Sequence, residues 1–262
     1  MEVRLFPNPV RPGVGLKPRR ESQRPFLPQH ARHCPVLEAG SGLGYLVYPA
    51  LEAHEAFHIE FQGDGRFEFR YFLMGADTKW VPLFALTVTL PVGSVGMIKK
   101  EVAFLVANPP ISEEGAIKVA QTFIVLEDLG TPPGAVTLRG STNFRTPPGW
   151  DTVYLPVLNM IERPIAPMLV VRVETDWYPQ ESEFRYVLAP GEGLPGSRTL
   201  PIGQVCFVPR EEVTLRDCTD AEIEQIKQEK ATFMQEKSAA KRTTNYGLEY
   251  SPHYSQKSKA KK

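Results

Sequence analysis

The sequence predicts an all-β protein, a single β-sandwich or jelly-roll-like domain with an extended N-terminal arm and a C-terminal helix. Three observations carry this expectation. From Tyr45 onward apolar and polar residues alternate with period two. About ten short apolar runs follow one another, separated by proline and glycine clusters, with no helical pattern between them. Thr-Pro-Pro-Gly occurs twice, at 131–134 and 146–149, each time just ahead of a run. A chain of 262 residues at 42% hydrophobic and 23% charged can close one core of this kind. The predicted divisions are an arm over 1–35, the sandwich over 36–215, the helix over 216–242 and a basic flexible tail over 243–262.

The arm holds seven prolines and seven Arg or Lys against two Glu, without a sustained apolar period. Proline fixes φ and removes a donor, so this stretch is expected to run as irregular or polyproline-like chain rather than form an element. In Ala56–Gln62 the residues Phe57, Ile59 and Phe61 share one face and His58, Glu60 and Gln62 the other, as in a half-buried strand. Gly63-Asp-Gly65 reads as a hairpin turn, after which Phe67, Phe69 and Tyr71 repeat the alternation. Further strand runs are expected over 83–90, 102–107, 118–126, 136–139, 152–159, 168–177, 182–188 and 203–208. Each Thr-Pro-Pro-Gly suits a tight turn, proline presetting the second position and glycine taking a positive φ at the third. The one helix expected opens with the capping box Thr219-Asp-Ala-Glu222 and carries a narrow stripe of Ile223, Ile226, Phe233 and Met234. The lysine-rich end is expected to be disordered on its own.

Acidic and basic residues balance at 30 each, so no global field draws the chain to nucleic acid or to an anionic membrane. No apolar run reaches the roughly 20 residues needed to span a bilayer, and no signal-peptide core is present, so a cytoplasmic protein is expected. Cys34, Cys206 and Cys218 lack CxxC spacing and are expected to be reduced thiols, not a disulfide framework or zinc site.

Four patterns invite a chemical reading. Val36-Leu-Glu-Ala-Gly-Ser-Gly-Leu-Gly-Tyr-Leu46 is similar to the glycine-rich first motif of S-adenosylmethionine-dependent methyltransferases, which resemblance would imply that cofactor. Pro49 interrupts the helix that should follow, and amphipathic strands come next, so a glycine loop is preferred and no cofactor is expected. His54 and His58, with Glu52 and Glu60, suggest a metal site. Four strand residues separate the two histidines by about 13 Å, too far to share an ion. Gly40-Ser-Gly42 is no nucleophile elbow, and Cys206 within Gln204–Val208 reads as a small packed hydrophobe. Glu174 and Asp176 are the best polar candidates. On a strand over 169–177 they would share a face with Arg172, their backbones about 6.6 Å apart, opposite Leu169, Val171, Val173 and Trp177. Such a pair can grip a cation or act as acid and base if it lines a cleft, or it can be a solvated edge or a cap on loop amides. Arg172, Glu174, Asp176, Trp177 and Trp150 are thus the candidate ligand-binding residues, and no catalytic or metal-binding residue is assigned.

Four landmarks occur in order: Arg32-His-Cys-Pro35 leading to Gly44-Tyr45, Phe144–Trp150, Glu174–Trp177, and Gly203–Pro209 before the charged helix. On these the chain resembles a family of bacterial proteins known only by a domain-of-unknown-function label, from about residue 32 to the C-terminal helix. The resemblance implies architecture without chemistry, and it puts the glycine-rich segment at a loop and strand entry. The basic arm and the lysine-rich tail depart from it. The expected function is a non-enzymatic binding or assembly module, docking a protein partner or a second copy through the N-terminal arm or the C-terminal helix. The alternative is a small-molecule sensor or enzyme using Glu174 and Asp176.

Overall fold

The computed structural model describes residues 1–20, 34–91, 97–160, 166–243, 245, 247 and 249–260. The middle of the predicted arm, with Arg32, His30 and His33, lies outside them, as does the last lysine pair. Two compact units are present, one of residues 1–32 and 37–210 and one of 33–36 and 211–262.

In chain order the first unit contains β1 (Arg4–Pro7), most of α1 (Pro35–Ser41), β2 (Tyr45–Val47), β3 (Glu55–Gly63), β4 (Arg66–Met74), β5 (Trp80–Thr89) and β6 (Lys99–Phe104). It continues with α2 (Glu113–Phe123), β7 (Ala135–Arg139), β8 (Thr142–Arg145), β9 (Trp150–Leu155), β10 (Met168–Leu169), β11 (Val171–Val173), β12 (Glu183–Val187), β13 (Gly193–Ser197) and β14 (Gly203–Pro209). The second unit holds α3 (Asp220–Ala239), β15 (Arg242–Thr243), β16 (Glu249–Tyr250) and α4 (His253–Ala260).

The expected all-β, sandwich-like fold is present. A five-stranded sheet in the order β13-β3-β4-β5-β6 contributes one apolar face. A four-stranded sheet, β11-β9-β14-β2, a three-stranded sheet, β10-β12-β7, and the pair β1-β8 contribute the rest, every pairing being antiparallel. The alternation read in β3 and β4 is realised. Phe57, Ile59, Phe61, Phe67, Phe69 and Tyr71 are buried, while His58, Glu60 and Glu68 are only partly covered. One core cluster joins these side chains to Leu138, Phe144, Tyr154, Phe184, Tyr186 and Val205 of the other sheets. Both Thr-Pro-Pro-Gly segments turn as expected. Ala135 N–H donates to the Pro132 carbonyl (2.8 Å) and Trp150 N–H to that of Pro147 (3.2 Å), with φ of +79° at Gly134 and +78° at Gly149.

Four expectations need correction. Residues 118–126 do not form a strand, because α2 runs through Phe123. Ser112 caps it by accepting from Gly115 N–H, and Ala116, Ala120 and Phe123 recur at helical spacing on its buried side. Phe123 then stacks in the sandwich, its centroid 5.2 Å from Phe57 and 6.2 Å from Tyr71. The arm is not free of elements: β1 pairs with β8, Asn8 is buried and donates to the Gly140 carbonyl (3.0 Å), and Arg19 bridges to Leu46. The tail contains α4, which lies against α3 with the His253 and Phe233 rings 5.0 Å apart. The stretch 168–177 is not one strand, as described below. A further strand, β13, is built from a Gly-Leu-Pro-Gly-Ser sequence with no strand pattern of its own. It is recruited by pairing with β3.

The N-terminal stretch is locked by charge. Arg11 forms a two-pronged pair with Glu55 (2.7 and 3.0 Å), and the Tyr71 hydroxyl and Glu52 N–H donate to the same carboxylate. Burial pushes the Glu55 carboxyl up, but these four donors outweigh it and hold the group below its usual range. Its contribution to stability is therefore complete above about pH 4.5 and is lost as pH falls through the lower folded value. Glu55 is 7% exposed and the Arg11 side chain 24%. Arg11→Ala is expected to destabilise by about 2–3 kcal/mol, below the roughly 3–5 kcal/mol of a fully buried pair because water still reaches the site. Urea unfolding at pH 7 and pH 3.5 measures this, and the difference between variant and parent should shrink at the lower pH.

Candidate functional site

Three segments meet at one end of the four-stranded sheet. The Pro147–Trp150 turn feeds β9, and the end of β14 lies beside it, with Pro209 opposite Trp150 and Arg210 N–H donating to the Gly149 carbonyl (2.8 Å). On the other side of β9 runs β11, with Arg172 opposite Val153. After Val173 the chain turns, and Trp177 and Tyr178 N–H donate to the Glu174 carbonyl (3.2 and 2.9 Å). The turn is pinned from inside by Thr175, fully buried, whose hydroxyl lies 2.9 Å from that of Thr146 and 2.7 Å from that of Thr152.

This geometry corrects the single strand expected over 169–177. Glu174, Asp176 and Trp177 sit on a turn, so strand alternation does not relate them to Arg172. Asp151, at the start of β9, is the centre instead and is 2% exposed. Arg172 Nε donates to its Oδ2 (2.6 Å), and Arg210 donates to its Oδ1 through Nε (2.9 Å) and Nη2 (2.6 Å). Arg210 Nη2 also reaches Asp176 Oδ1 (2.6 Å), and Asp176 Oδ2 accepts from Gly149 N–H (2.9 Å). Glu174 accepts from the Trp177 indole N–H (2.6 Å) and lies 3.7 Å from Arg210 Nε. Trp150 opens β9 next to Asp151, with its side chain half-buried.

The charges are matched internally. Burial pushes the Asp151 carboxyl up, yet hydrogen bonds and charge from Arg210 and Arg172 bring it below its usual range. The Arg210 hydrogen bond, with the Gly149 amide, holds the Asp176 carboxyl down as well, and the two carboxylates hold Arg210 more firmly protonated. Carboxylates lowered in this way are weak general bases near neutral pH. What the arrangement does is cap a turn and join β9, β11 and the segment after β14. Asp151 and Arg210 escaped the sequence reading because each is recognisable only by its partner, far away in the chain. The available signal was positional, since Asp151 directly follows Phe144–Trp150 and Arg210 directly follows Gly203–Pro209.

The other patterns resolve locally. The glycine-rich segment is not simply a loop: α1 occupies Pro35–Ser41 and precedes β2, the reverse of the strand, glycine, helix order that a nucleotide-type cofactor loop needs. Gly44 is required for packing, since its φ is +74° and a Cβ there would collide with the Val205 carbonyl of β14. His54 precedes β3 and His58 lies on its outer face opposite Arg70. Among the described residues no three His, Cys, Asp or Glu side chains come together as a metal site. Cys206 lies on β14, where burial pushes its thiol up.

Two substitutions separate structural from exposed carboxylates here. Asp151→Asn is expected to cost about 1.5–3 kcal/mol through its lost charged hydrogen bonds. Glu174→Gln, on the exposed turn, should stay within about 0.5 kcal/mol of the parent. Thermal melts of both variants measure the contrast. Comparison of the chain with protein-family models, with curated proteins and with solved structures finds no match.

Proposed function

We propose that this chain is a non-enzymatic binding or assembly module that takes up a protein partner on its C-terminal helix. The observation that carries this reading is α3, 20 residues long with none of them buried. Its start is firmly built: Thr219 and Glu222 form the capping box, and Arg216 grips Glu222 (2.6 and 2.9 Å), whose carboxyl is pushed down to about 2 by that arginine and the Thr219 donors. Within the apolar stripe only Phe233 is sheltered, by His253 and by Lys257, whose Nζ sits 5.5 Å above the ring. Ile223, Ile226 and Met234 remain exposed, as do Val213 and Leu215 ahead of the helix. An ordered helix with an uncovered apolar stripe is the form that helix-in-groove recognition uses. The N-terminal stretch is a poorer docking device, because residues 4–7 pair with β8 and Arg19 bridges to Leu46. No helix among the described residues is long and apolar enough to cross a membrane.

The test compares proteins captured from lysate by the full chain and by the Ile226→Glu/Met234→Glu variant. A set of specific partners lost with the variant is the expected result, while identical capture by both would sink the reading. A second reading, an organic cation bound at the turn after β11, is favoured by the exposed Trp177 and Tyr178 rings (centroids 5.7 Å apart) beside the Glu174 carboxylate. It predicts saturable quenching of tryptophan fluorescence by tetramethylammonium that Trp177→Phe abolishes.

A further inference from the structure

Sheet edges offer unpaired N–H and C=O groups, and proteins blunt them with charge, proline or a covering segment. Most edges of the first unit follow that rule. At one end of the five-stranded sheet, β6 opens with Lys99, Lys100 and Glu101, and at the other end β13 carries Pro195. Arg19 bridges to Leu46 and covers β2, and Ile124 bridges to Leu138 of β7. The stretch 168–173 differs. It is the outermost strand of two sheets in succession, β10 pairing with β12 and β11 with β9, and Val170 marks the change. Leu169, Val170 and Val171 are 43%, 59% and 37% exposed, and Trp177 and Tyr178 follow at 60% and 47%. Within 168–173 there is no lysine, proline or bulge, Arg172 being its one charged residue and Pro167 standing just ahead of β10, and no outer strand pairs with this stretch among the described residues.

We infer that the β10–β11 edge is a self-association surface, occupied by the same edge of a second copy in antiparallel pairing. The occupant follows from symmetry and charge. An antiparallel strand pair between identical edges has a two-fold axis, so the surface must complement itself. Centring the pair on Val171 sets Val171 against its own counterpart, Val170 against Arg172 and Leu169 against Val173, with no like charges opposed. Moving the centre to Arg172 would place two guanidinium groups face to face, which disfavours that register. Arg172 is free to serve here, since Nε alone is committed to Asp151 and its side chain is 52% exposed. Trp177 and Tyr178, exposed on the turn that follows the edge, are of the residue types that concentrate binding energy at interfaces.

The experiment is sedimentation equilibrium on the full chain, its Val170→Lys variant and its Val171→Cys variant. The parent should dimerise, and Val170→Lys should weaken the dimer by at least about 10-fold. At a dilution where the parent is monomeric the two melting temperatures should agree, because residue 170 is exposed. Under mild oxidation Val171→Cys should form a 171–171 disulfide, located by peptide mapping so that Cys34, Cys206 and Cys218 are not mistaken for it. A parent that stays monomeric up to about 0.5 mM overturns the inference, as does a dimer that Val170→Lys leaves intact. A dimer lost only with Ile226→Glu/Met234→Glu likewise overturns it, while leaving the reading of the C-terminal helix in place.

Discussion

A carboxylate taken out of water must be met by a cation or by several donors, and much of this molecule is arranged around that constraint. Glu55 lies at the start of a hydrophobic strand, and its burial is tolerable only because Arg11 comes from the N-terminal stretch to meet it. That pairing ties the N-terminal stretch to β3 at Arg11 and sets the Arg11 guanidinium 5.8 Å above Phe123, the aromatic ring of α2 in the core. Asp151 repeats the pattern elsewhere. Its two arginines come from β11 and from just beyond β14, so one buried charge fixes three segments and, through Asp176, a fourth.

Function follows from how those groups are committed. Asp176 satisfies a turn amide and an arginine, and Asp151 lies beneath two guanidinium groups, so the polar residues that could have suggested acid–base chemistry act as joints. Exposed apolar groups include an edge of Leu169, Val170 and Val171, two aromatic rings after it and, in the other unit, a stripe along α3. Exposed apolar surfaces of that kind are where proteins meet other surfaces, and they are the feature on which the proposed interaction module rests.

Much of the fold was legible where local physics decides it. The β3–β4 hairpin, the two Pro-Pro-Gly turns and the Thr219 capping box are each specified within a few residues, and all are present. The failures arose where a distant partner overrides a local pattern. Val171, Val173 and Thr175 continue an alternation, yet the hydroxyls of Thr146 and Thr152 draw Thr175 inward and turn the chain, leaving Glu174 and Asp176 off the strand. For α2 the helical signal was present in Ser112, Ala116, Ala120 and Phe123, but the apolar run from Val119 to Leu126 resembles a buried strand over the same span. Of the candidate site, Arg172, Asp176 and Trp150 do gather in one place. The Asp151–Arg210 pair that gathers them is a long-range event that no local window contains.

The β1–β8 pair has a consequence for biosynthesis. Arg4 pairs with Arg145, and the Arg11 contact with Glu55 is likewise made across a long stretch of chain. At roughly 5–20 residues per second, residues 4–7 wait about 7–28 s on the ribosome before β8 has been made. During that interval the segment is an extended, proline-rich, cationic strand without its partner, open to chaperones and proteases. Its docking as a strand therefore waits until the first 145 residues have been made.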